Sequence, residues 1–255
     1  MDALLGYSGF VGGNLLRQRE FDAVFNSRTF PEIRGRRFRD VYCACAPAEK
    51  WKANQQPEND RKTILEIIDV LATIHAERFV LISTIDVYPV LENVDETYDC
   101  SARPNHAYGA NRRMLEDRVQ ELFAEVHIVR LPALFGQGLT KNVIFDLLHD
   151  NALDKIQPDS SFQYYNLDRL WADIQVQTAA KVRLLNLCTE PLPTRTILAT
   201  FFPEKQVGAN APPAVRYDVH TRHAGLFGRS GPYRESADNV LAQLGRYIDS
   251  QRKAA

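Results

Sequence analysis

Gly6-Tyr7-Ser8-Gly9-Phe10-Val11-Gly12 is the stretch that decides the fold. A short apolar run, Ala3–Leu5, leads into it, and a helical pattern from Asn14 to Arg19 follows. Three glycines at G-x-x-G-x-x-G spacing between a strand and a helix have a physical reading. The first permits a tight turn, the second lets the backbone approach a pyrophosphate, and the third lets helix and strand pack closely. The helix N-terminus then offers free N–H groups and partial positive charge to the phosphates. Gly6, Gly9 and Gly12, with Ser8, Phe10 and Val11 between them, are candidate dinucleotide contacts. A glycine triplet alone is weak evidence, and the alternative is an ordinary tight turn; here the strand–loop–helix context supports the cofactor reading.

Working outward, short apolar runs alternate with helical patterns. Asp22–Asn26, Val41–Ala46, Arg78–Ser83 and Val126–Leu131 read as strands. Lys62–His75 is amphipathic, with Ile64, Ile67, Ile68 and Leu71 at helical spacing, and Tyr108–Phe123 reads as a second long helix. Strand alternating with helix implies parallel pairing with helices over both faces. The expected fold is α/β, a Rossmann-type doubly wound parallel sheet with a small C-terminal substrate lobe. The expected division is residues 1–160 for the cofactor half and 161–255 for the lobe, the two interleaved. About 14 residues separate Asn26 from Val41, close to the minimum for a parallel crossover, so a loop or degenerate strand is expected there. The run Arg34, Arg36, Arg37, Arg39 in that segment is either a phosphate or partner patch or a solvated face. Lys141–Leu148, Asp168–Thr178 and a last helix capped by Ser236 are expected helices, with Phe162–Asn166 and Leu184–Leu187 as strands.

Composition sets the limits. The 255 residues are 45% hydrophobic and 25% charged, ordinary for a globular chain that buries a core without staples. With 31 Lys and Arg against 32 Asp and Glu, the net charge of −1 argues against a nucleic-acid partner. Four scattered cysteines, Cys43, Cys45, Cys100 and Cys188, form no C-x-x-C pair, so no metal is expected and free thiols in a reducing cytoplasm are. No secretory leader and no membrane span are expected.

The end of the second strand bears on the cofactor. Asn26-Ser27-Arg28 carries no carboxylate where NAD folds usually place one for the ribose 2′-hydroxyl. Ser27 and Arg28 could instead meet a 2′-phosphate, which tilts the expectation slightly towards NADP over NAD.

Two further segments carry chemistry. Leu81-Ile82-Ser83-Thr84-Ile85-Asp86-Val87-Tyr88 ends a buried strand in hydroxyls and a carboxylate. Pro104-Asn105-His106-Ala107-Tyr108-Gly109-Ala110-Asn111-Arg112 opens a helix with Tyr108 and Arg112 on one face. Singly, Thr84 could cap its strand, Asp86 could be a loop carboxylate and Tyr108 a core tyrosine.

Taken together, these segments resemble the extended short-chain dehydrogenase/reductases, in their nucleotide-sugar epimerase/dehydratase branch. GYSGFVG resembles the glycine loop, LISTIDVY the Ser-Ser/Thr segment, and RPNHAYGANR the Pro-x-x-x-Tyr-Gly-x-x-Lys segment. VRLPALFGQG and YYNLDRLWADI resemble two later loops. The resemblance implies Tyr108 as general acid/base, Thr84 with Ser83 at the reacting oxygen, and Asp86 where dehydratases carry an acid. Arg112 stands at the position of the lysine that holds the nicotinamide ribose and lowers the tyrosine pKa, with Arg113 as its neighbouring alternative. A free phenol titrates near 10, so a base working near neutrality needs a shift of about 3 units, or about 4 kcal/mol. Arginine keeps the charge, but its fork is not interchangeable with an ammonium.

Ala46 and Pro132 are expected to line the cofactor; Asp86, Tyr88, Asn142, His220 and Arg222 are candidate substrate contacts. The segment 217–228, which holds His220 and Arg222, reads as an anion-binding loop or a surface linker. The implied activity is an NAD(P)-dependent oxidoreductase or epimerase acting on a hydroxyl or keto carbon of a sugar-like, nucleotide-linked small molecule, in a homodimer. The alternative is a non-catalytic NAD(P)-binding regulator or scaffold, suggested by Arg112 and by the short substrate lobe.

Overall fold

The computed structural model describes residues 1–254. In chain order the elements are β1 (Asp2–Leu5), α1 (Phe10–Gln18), β2 (Ala23–Phe25), β3 (Arg37–Cys43), α2 (Lys50–Gln55), α3 (Pro57–Leu71), β4 (His75–Thr84) and β5 (Glu92–Val94). There follow α4 (Ala107–Leu122), β6 (Val126–Leu131), β7 (Ala133–Phe135), α5 (Val143–His149), β8 (Ser161–Phe162), β9 (Tyr164–Asn166) and α6 (Leu170–Ala179). The chain ends with β10 (Leu184–Asn186), β11 (Leu192–Pro193), α7 (Thr194–Phe201), β12 (Asp218–Val219) and α8 (Ala237–Ala254).

The chain divides into two units. The first comprises Met1–Val90, Glu96–Leu131 and Asp168–Asn186. Its six strands form one parallel sheet in the order β10-β6-β4-β3-β1-β2, the doubly wound arrangement expected. β1 and β6 are buried along their whole length because helices flank the sheet. α3 packs with α4, and their apolar faces meet Leu5, Val41, Phe79 and Leu81 through Ile64, Ile67, Leu115 and Val119. Phe79 and Phe123 stack with ring centroids 4.4 Å apart. α1 packs with α6, where the Arg19 guanidinium lies 4.6 Å over the Trp171 ring.

The second unit comprises Leu91–Asp95, Pro132–Leu167 and the chain from Leu187 onward. It holds three two-stranded pairings, β7–β9, β8–β11 and β5–β12, together with α5, α7 and α8. Val240, Leu244 and Ile248 of α8 are buried, and Tyr247 on the same face is half-buried.

Several boundaries differ from the periodicity reading. α1 begins at Phe10 rather than Asn14, because Gly9 is extended (φ −80°, ψ 170°) and hands straight over to the helix. The short crossover contains one 3₁₀ turn, Phe30–Ile33, and β3 starts at Arg37, four residues before the expected Val41. Its alternation of exposed Arg37 and Arg39 with buried Phe38 and Asp40 was hidden by the arginine count. Arg39 Nη2 lies 2.7 Å from Asp2 Oδ2 of the neighbouring β1, and Arg36 packs 5.4 Å over the Phe25 ring, so these two arginines pack against the sheet. α3 starts at Pro57, a proline at the first helical position with Glu58 and Asp60 in the first turn, where the helix dipole favours acids. α2 was not expected at all. The strand expected over Phe162–Asn166 is broken at Gln163, whose buried amide donates to Thr189 O (2.6 Å) and Val219 O (2.8 Å).

Candidate active site

The glycine loop follows β1, where the strand order reverses between β2 and β3. Gly6 adopts φ +89° and donates its N–H to Phe25 O at 2.7 Å. A Cβ there would stand 2.4 Å from Ala44 O, and one at Gly12 would stand 2.1 Å from Gly6 O. Both positions therefore need glycine for the close approach of β1, β3 and α1. Gly9 differs: its Cβ would meet only Gly6 O, at 3.4 Å, and the residue is exposed. The protein's own packing does not require glycine at Gly9, and the exposed backbone there leaves room for a ligand to lie against the loop. No side chain caps α1 and no acid sits in its first turn, so its N-terminal field stays uncompensated. The cradle fits a pyrophosphate.

Past β2, Asn26 Oδ1 accepts from Arg28 N (2.9 Å) and Thr29 N (3.2 Å), closing a turn that leaves Ser27 and Arg28 exposed. The Asn26 amide also reaches Tyr7 Oη at 3.2 Å, tying this turn to the glycine loop. Ala46 is half-buried in the loop after β3.

The chemistry-bearing residues converge at the end of β4. Strand alternation turns Ser83 and Thr84 to opposite faces. Thr84 Oγ1 accepts Asp86 N at 3.1 Å, and the Thr84 side chain lies near enough to Tyr108 to lower its pKa. Asn105 Nδ2 donates to Asp86 O (2.9 Å) and Val87 O (3.0 Å), pinning the Asp86 turn to the start of α4. Gly109 completes the joint: a Cβ there would lie 2.1 Å from Asp86 O. His106 caps α4 by accepting Gly109 N at Nδ1, 3.0 Å away, and Asn54 Oδ1 of α2 accepts Tyr108 N at 3.0 Å. Tyr108 is thus fixed from two sides beside Thr84 and Asp86.

Burial pushes the Tyr108 hydroxyl above the ordinary phenol value, with Asp86 adding to the rise; Arg112, Thr84 and Lys50 pull the other way. Burial and then Lys50 push His106 below the usual imidazole value, against Asp86.

Arg112 is not placed as the resemblance implies. Its guanidinium is buried, lies 4.2 Å over the Tyr108 ring, and is held by Asp60 Oδ2 at 2.5 Å and by the Pro47 carbonyl. Asn111 Nδ2 reaches the same Asp60 oxygen at 2.8 Å. Arg113 turns to Asp117 (2.7 Å) and Glu116 (3.6 Å). A residue not singled out from sequence supplies an ammonium instead: Lys50 Nζ lies 2.7 Å from Asp86 Oδ1. Its only sequence signal is its place shortly after β3, in the switch region.

The other candidates lie elsewhere. Ser83 Oγ donates to Glu116 Oε1 at 2.5 Å, and Glu116 takes Arg130 through Nε (3.0 Å) and Nη2 (2.6 Å). Tyr88 is fully buried, its hydroxyl bonded to Asn186 and its ring under Arg130. Both serve the core network rather than Tyr108. In the second unit, Asn142 caps α5 by accepting Ile144 N (2.9 Å) and Phe145 N (3.2 Å), and Pro132 is buried after β6. His220 Nε2 lies 3.2 Å from Asp218 Oδ1, whose carboxylate also takes the Tyr233 hydroxyl at 2.6 Å, while Arg222 is exposed. Cys100 lines a separate hollow of about 390 Å³ with Val87, Pro104, Asn105, Arg113 and Met114. Among the described residues no cluster of three His, Cys, Asp or Glu could hold a metal, and no helix is long and apolar enough to cross a membrane.

The sheet order, the glycine cradle and the Thr84–Tyr108 pair define a Rossmann-type dinucleotide-binding fold with a short-chain dehydrogenase/reductase-like site. The profile of the NAD dependent epimerase/dehydratase family matches residues 39–166, the half that carries Thr84, Asp86 and Tyr108. The chain belongs to that family and is an enzyme of the NAD(P)-dependent epimerase, dehydratase or reductase type, the class the motifs imply. A search of the curated proteins found no match. Among solved structures the fold resembles MoeE5 in complex with UDP-glucuronic acid and NAD (TM-score 0.75, 15% identity, 100% of this chain and 99% of that one). It also resembles TunA, an NAD-dependent NDP-hexosamine 5,6-dehydratase (TM-score 0.73, 15% identity, 99% and 97%). The UDP-glucose 4-epimerase of Thermotoga maritima is a third (TM-score 0.68, 13% identity, 100% and 99%).

Proposed function

We propose that the protein binds a nicotinamide dinucleotide and acts on a hydroxyl-bearing carbon of a nucleotide-linked sugar. The observation that carries this reading is the convergence of Thr84, Asp86 and Tyr108 where the end of β4 meets the start of α4, a joint pinned by Asn105 and Gly109 in the sheet that bears the glycine cradle. The bound cofactor supplies a hydride acceptor and donor. Gly6, Gly9, Gly12 and the first turn of α1 hold its pyrophosphate. Tyr108 takes the hydroxyl proton and returns it, and Thr84 fixes the oxygen by hydrogen bonding. Asp86 takes a second proton, from the carbon next to the transient ketone, where the reaction is an elimination or an epimerisation at that carbon.

NAD is the better supported cofactor, because the solved relatives MoeE5, with UDP-glucuronic acid, and DesIV from Streptomyces venezuelae hold NAD. The NADP reading rests on exposed Arg28 beside a strand end that lacks an acid. Isothermal titration of the protein with NAD, NADH, NADP and NADPH decides between them, and tighter binding of NADP than NAD would reverse the choice. The substrate class is tested by incubating the protein with NAD and a panel of UDP- and dTDP-hexoses and separating the products by chromatography.

The non-catalytic reading has one observation in its favour, the commitment of Arg112 to Asp60. It predicts dinucleotide binding with no turnover of any nucleotide sugar. The family resemblance suggests a homodimer through α3 and α4, and light scattering measures it directly. We place the protein in the cytoplasm on the strength of its four free thiols.

A further inference from the structure

Cys43 and Cys45 are two residues apart, so strand alternation turns their side chains to the same face of the sheet. Cys43 is the last residue of β3 and fully buried, whereas Cys45 is half-buried on the loop that leaves the strand. Both are free thiols, and their sulfurs lie 3.3 Å apart in a thiol–thiol hydrogen bond. The pair is already in contact, with one sulfur reachable from the loop and the other behind it.

The residue between them touches the dinucleotide cradle. Ala44 N donates to Leu5 O at 2.8 Å, one step past the pairing of Cys43 with Leu5. Ala44 O sits directly against Gly6: a Cβ on Gly6 would lie 2.4 Å from it and 2.9 Å from Cys45 Cα. Gly6 O accepts Gly9 N at 3.0 Å, and a Cβ on Gly12 would lie 2.1 Å from that same oxygen. The turn of the glycine loop therefore rests on residues 43–45. Alternate Cα atoms of an extended strand are about 6.4–6.8 Å apart, whereas most disulfides hold theirs at about 5.5–6 Å. Closing a bond between Cys43 and Cys45 draws the chain in and moves the Ala44 peptide. The packing around Gly6 leaves no slack on that side, so the movement passes into the loop.

We propose that Cys43 and Cys45 are a redox modification site, a dithiol that closes to a disulfide under peroxide and so weakens dinucleotide binding. The proposal rests on the reading above, in which the glycine loop holds the dinucleotide. The oxidant is hydrogen peroxide. The Cys45 sulfur, as thiolate, attacks one peroxide oxygen; an S–O bond forms, the O–O bond breaks and hydroxide leaves. The Cys43 thiolate then attacks the Cys45 sulfur; the S–S bond forms, the S–O bond breaks and a second hydroxide leaves. The two thiol protons complete two waters. The sulfurs lose two electrons and the peroxide gains them. A dithiol reductant reopens the bond by exchange.

The test uses the full chain, reduced and then treated with hydrogen peroxide, with catalase ending the reaction. Trypsin releases residues 40–50 as one peptide that holds both cysteines, apart from Cys100 and Cys188. After oxidation that peptide is expected to be two hydrogens lighter and closed to iodoacetamide, and dithiothreitol should restore it. Calorimetry with whichever of NAD and NADP binds the reduced chain more tightly should show affinity lower by at least about tenfold after oxidation, recovered with dithiothreitol. Cys45→Ser and Cys45→Ala, checked for fold by circular dichroism, should each bind equally before and after peroxide. A peptide 40–50 that never forms the disulfide, or a disulfide that leaves affinity unchanged, overturns the proposal. So does an equal loss of affinity under peroxide in a folded Cys45 variant. Failure of the reduced chain to bind any nicotinamide dinucleotide would instead overturn the proposed function, and the peptide mass would still decide whether the dithiol closes.

Discussion

Arg112 Nη1 lies 2.5 Å from Asp60 Oδ2, and both side chains are buried. The pair joins α3 to α4 and pins α4 against the loop after β3 through Pro47 O. A buried ion pair that loses one partner leaves an uncompensated charge, which costs about 3–5 kcal/mol. Asp60→Leu is therefore expected to lose about that much stability in urea unfolding. A loss well under about 1 kcal/mol, as for an exposed pair, would show that the guanidinium is free to turn elsewhere.

The same physics applies to Glu116 and Arg130, and it separates Ser83 from Thr84. Glu116→Gln leaves Arg130 charged in the core and is expected to cost about 3–5 kcal/mol in urea unfolding. Ser83→Ala removes one hydrogen bond to that pair, about 1–2 kcal/mol, and leaves dinucleotide affinity unchanged. A fall in affinity in Ser83→Ala would put Ser83 at the cofactor.

The glycine loop separates packing from binding. Gly12→Ala places a methyl 2.1 Å from Gly6 O and is expected to distort the β1–α1 turn, lowering the melting temperature. Gly9→Ala makes only an ordinary contact at 3.4 Å and is expected to melt with the wild type. It should nevertheless weaken dinucleotide binding at least about tenfold, because the methyl occupies ligand space. Unchanged affinity in Gly9→Ala would argue that the loop is only a tight turn.

Asp2 sets an acid dependence. Burial works against its charge, but Arg19 and Arg39 hold its carboxyl below the ordinary carboxylate range. The unfolded chain therefore binds this proton first as pH falls, and the stability Asp2 contributes is present at neutral pH. It is lost as pH falls through the depressed folded value. Asp2→Asn is expected to be less stable than wild type near neutrality, with the gap closing in acid, as read by urea midpoints across pH. A gap constant with pH would mean that the pair is not what holds Asp2.

Much of the fold was legible because its signals are local. The glycine spacing, the buried runs Arg78–Ser83 and Val126–Leu131, and the apolar stripe of α3 need no distant partner to be read. Thr84, Asp86 and Tyr108 were legible as segments, and the chain brings them together through Asn105 and Gly109. What was not legible depended on long-range pairing. Arg112 shares a helix face with Tyr108, but its direction is set by Asp60, 52 residues away. Ser83 and Thr84 look equivalent until alternation assigns Ser83 to Glu116. Lys50 belongs to a six-residue helix with little periodicity, and its ion pair with Asp86, 36 residues away, emerges only from the 2.7 Å contact. Asn142 read as a substrate contact because a helix cap and a ligand-binding amide use the same side chain.

The central claim is that Tyr108, set beside Thr84 and Asp86, moves the substrate proton in a nicotinamide-dependent reaction. Turnover of the accepted nucleotide sugar by Tyr108→Phe, with dinucleotide affinity measured in the same preparation, tests it most directly. Loss of a positioned acid/base group is expected to lower turnover by about 10²–10⁴-fold while the affinity stays at the wild-type value. Turnover equal to wild type in Tyr108→Phe would contradict the account.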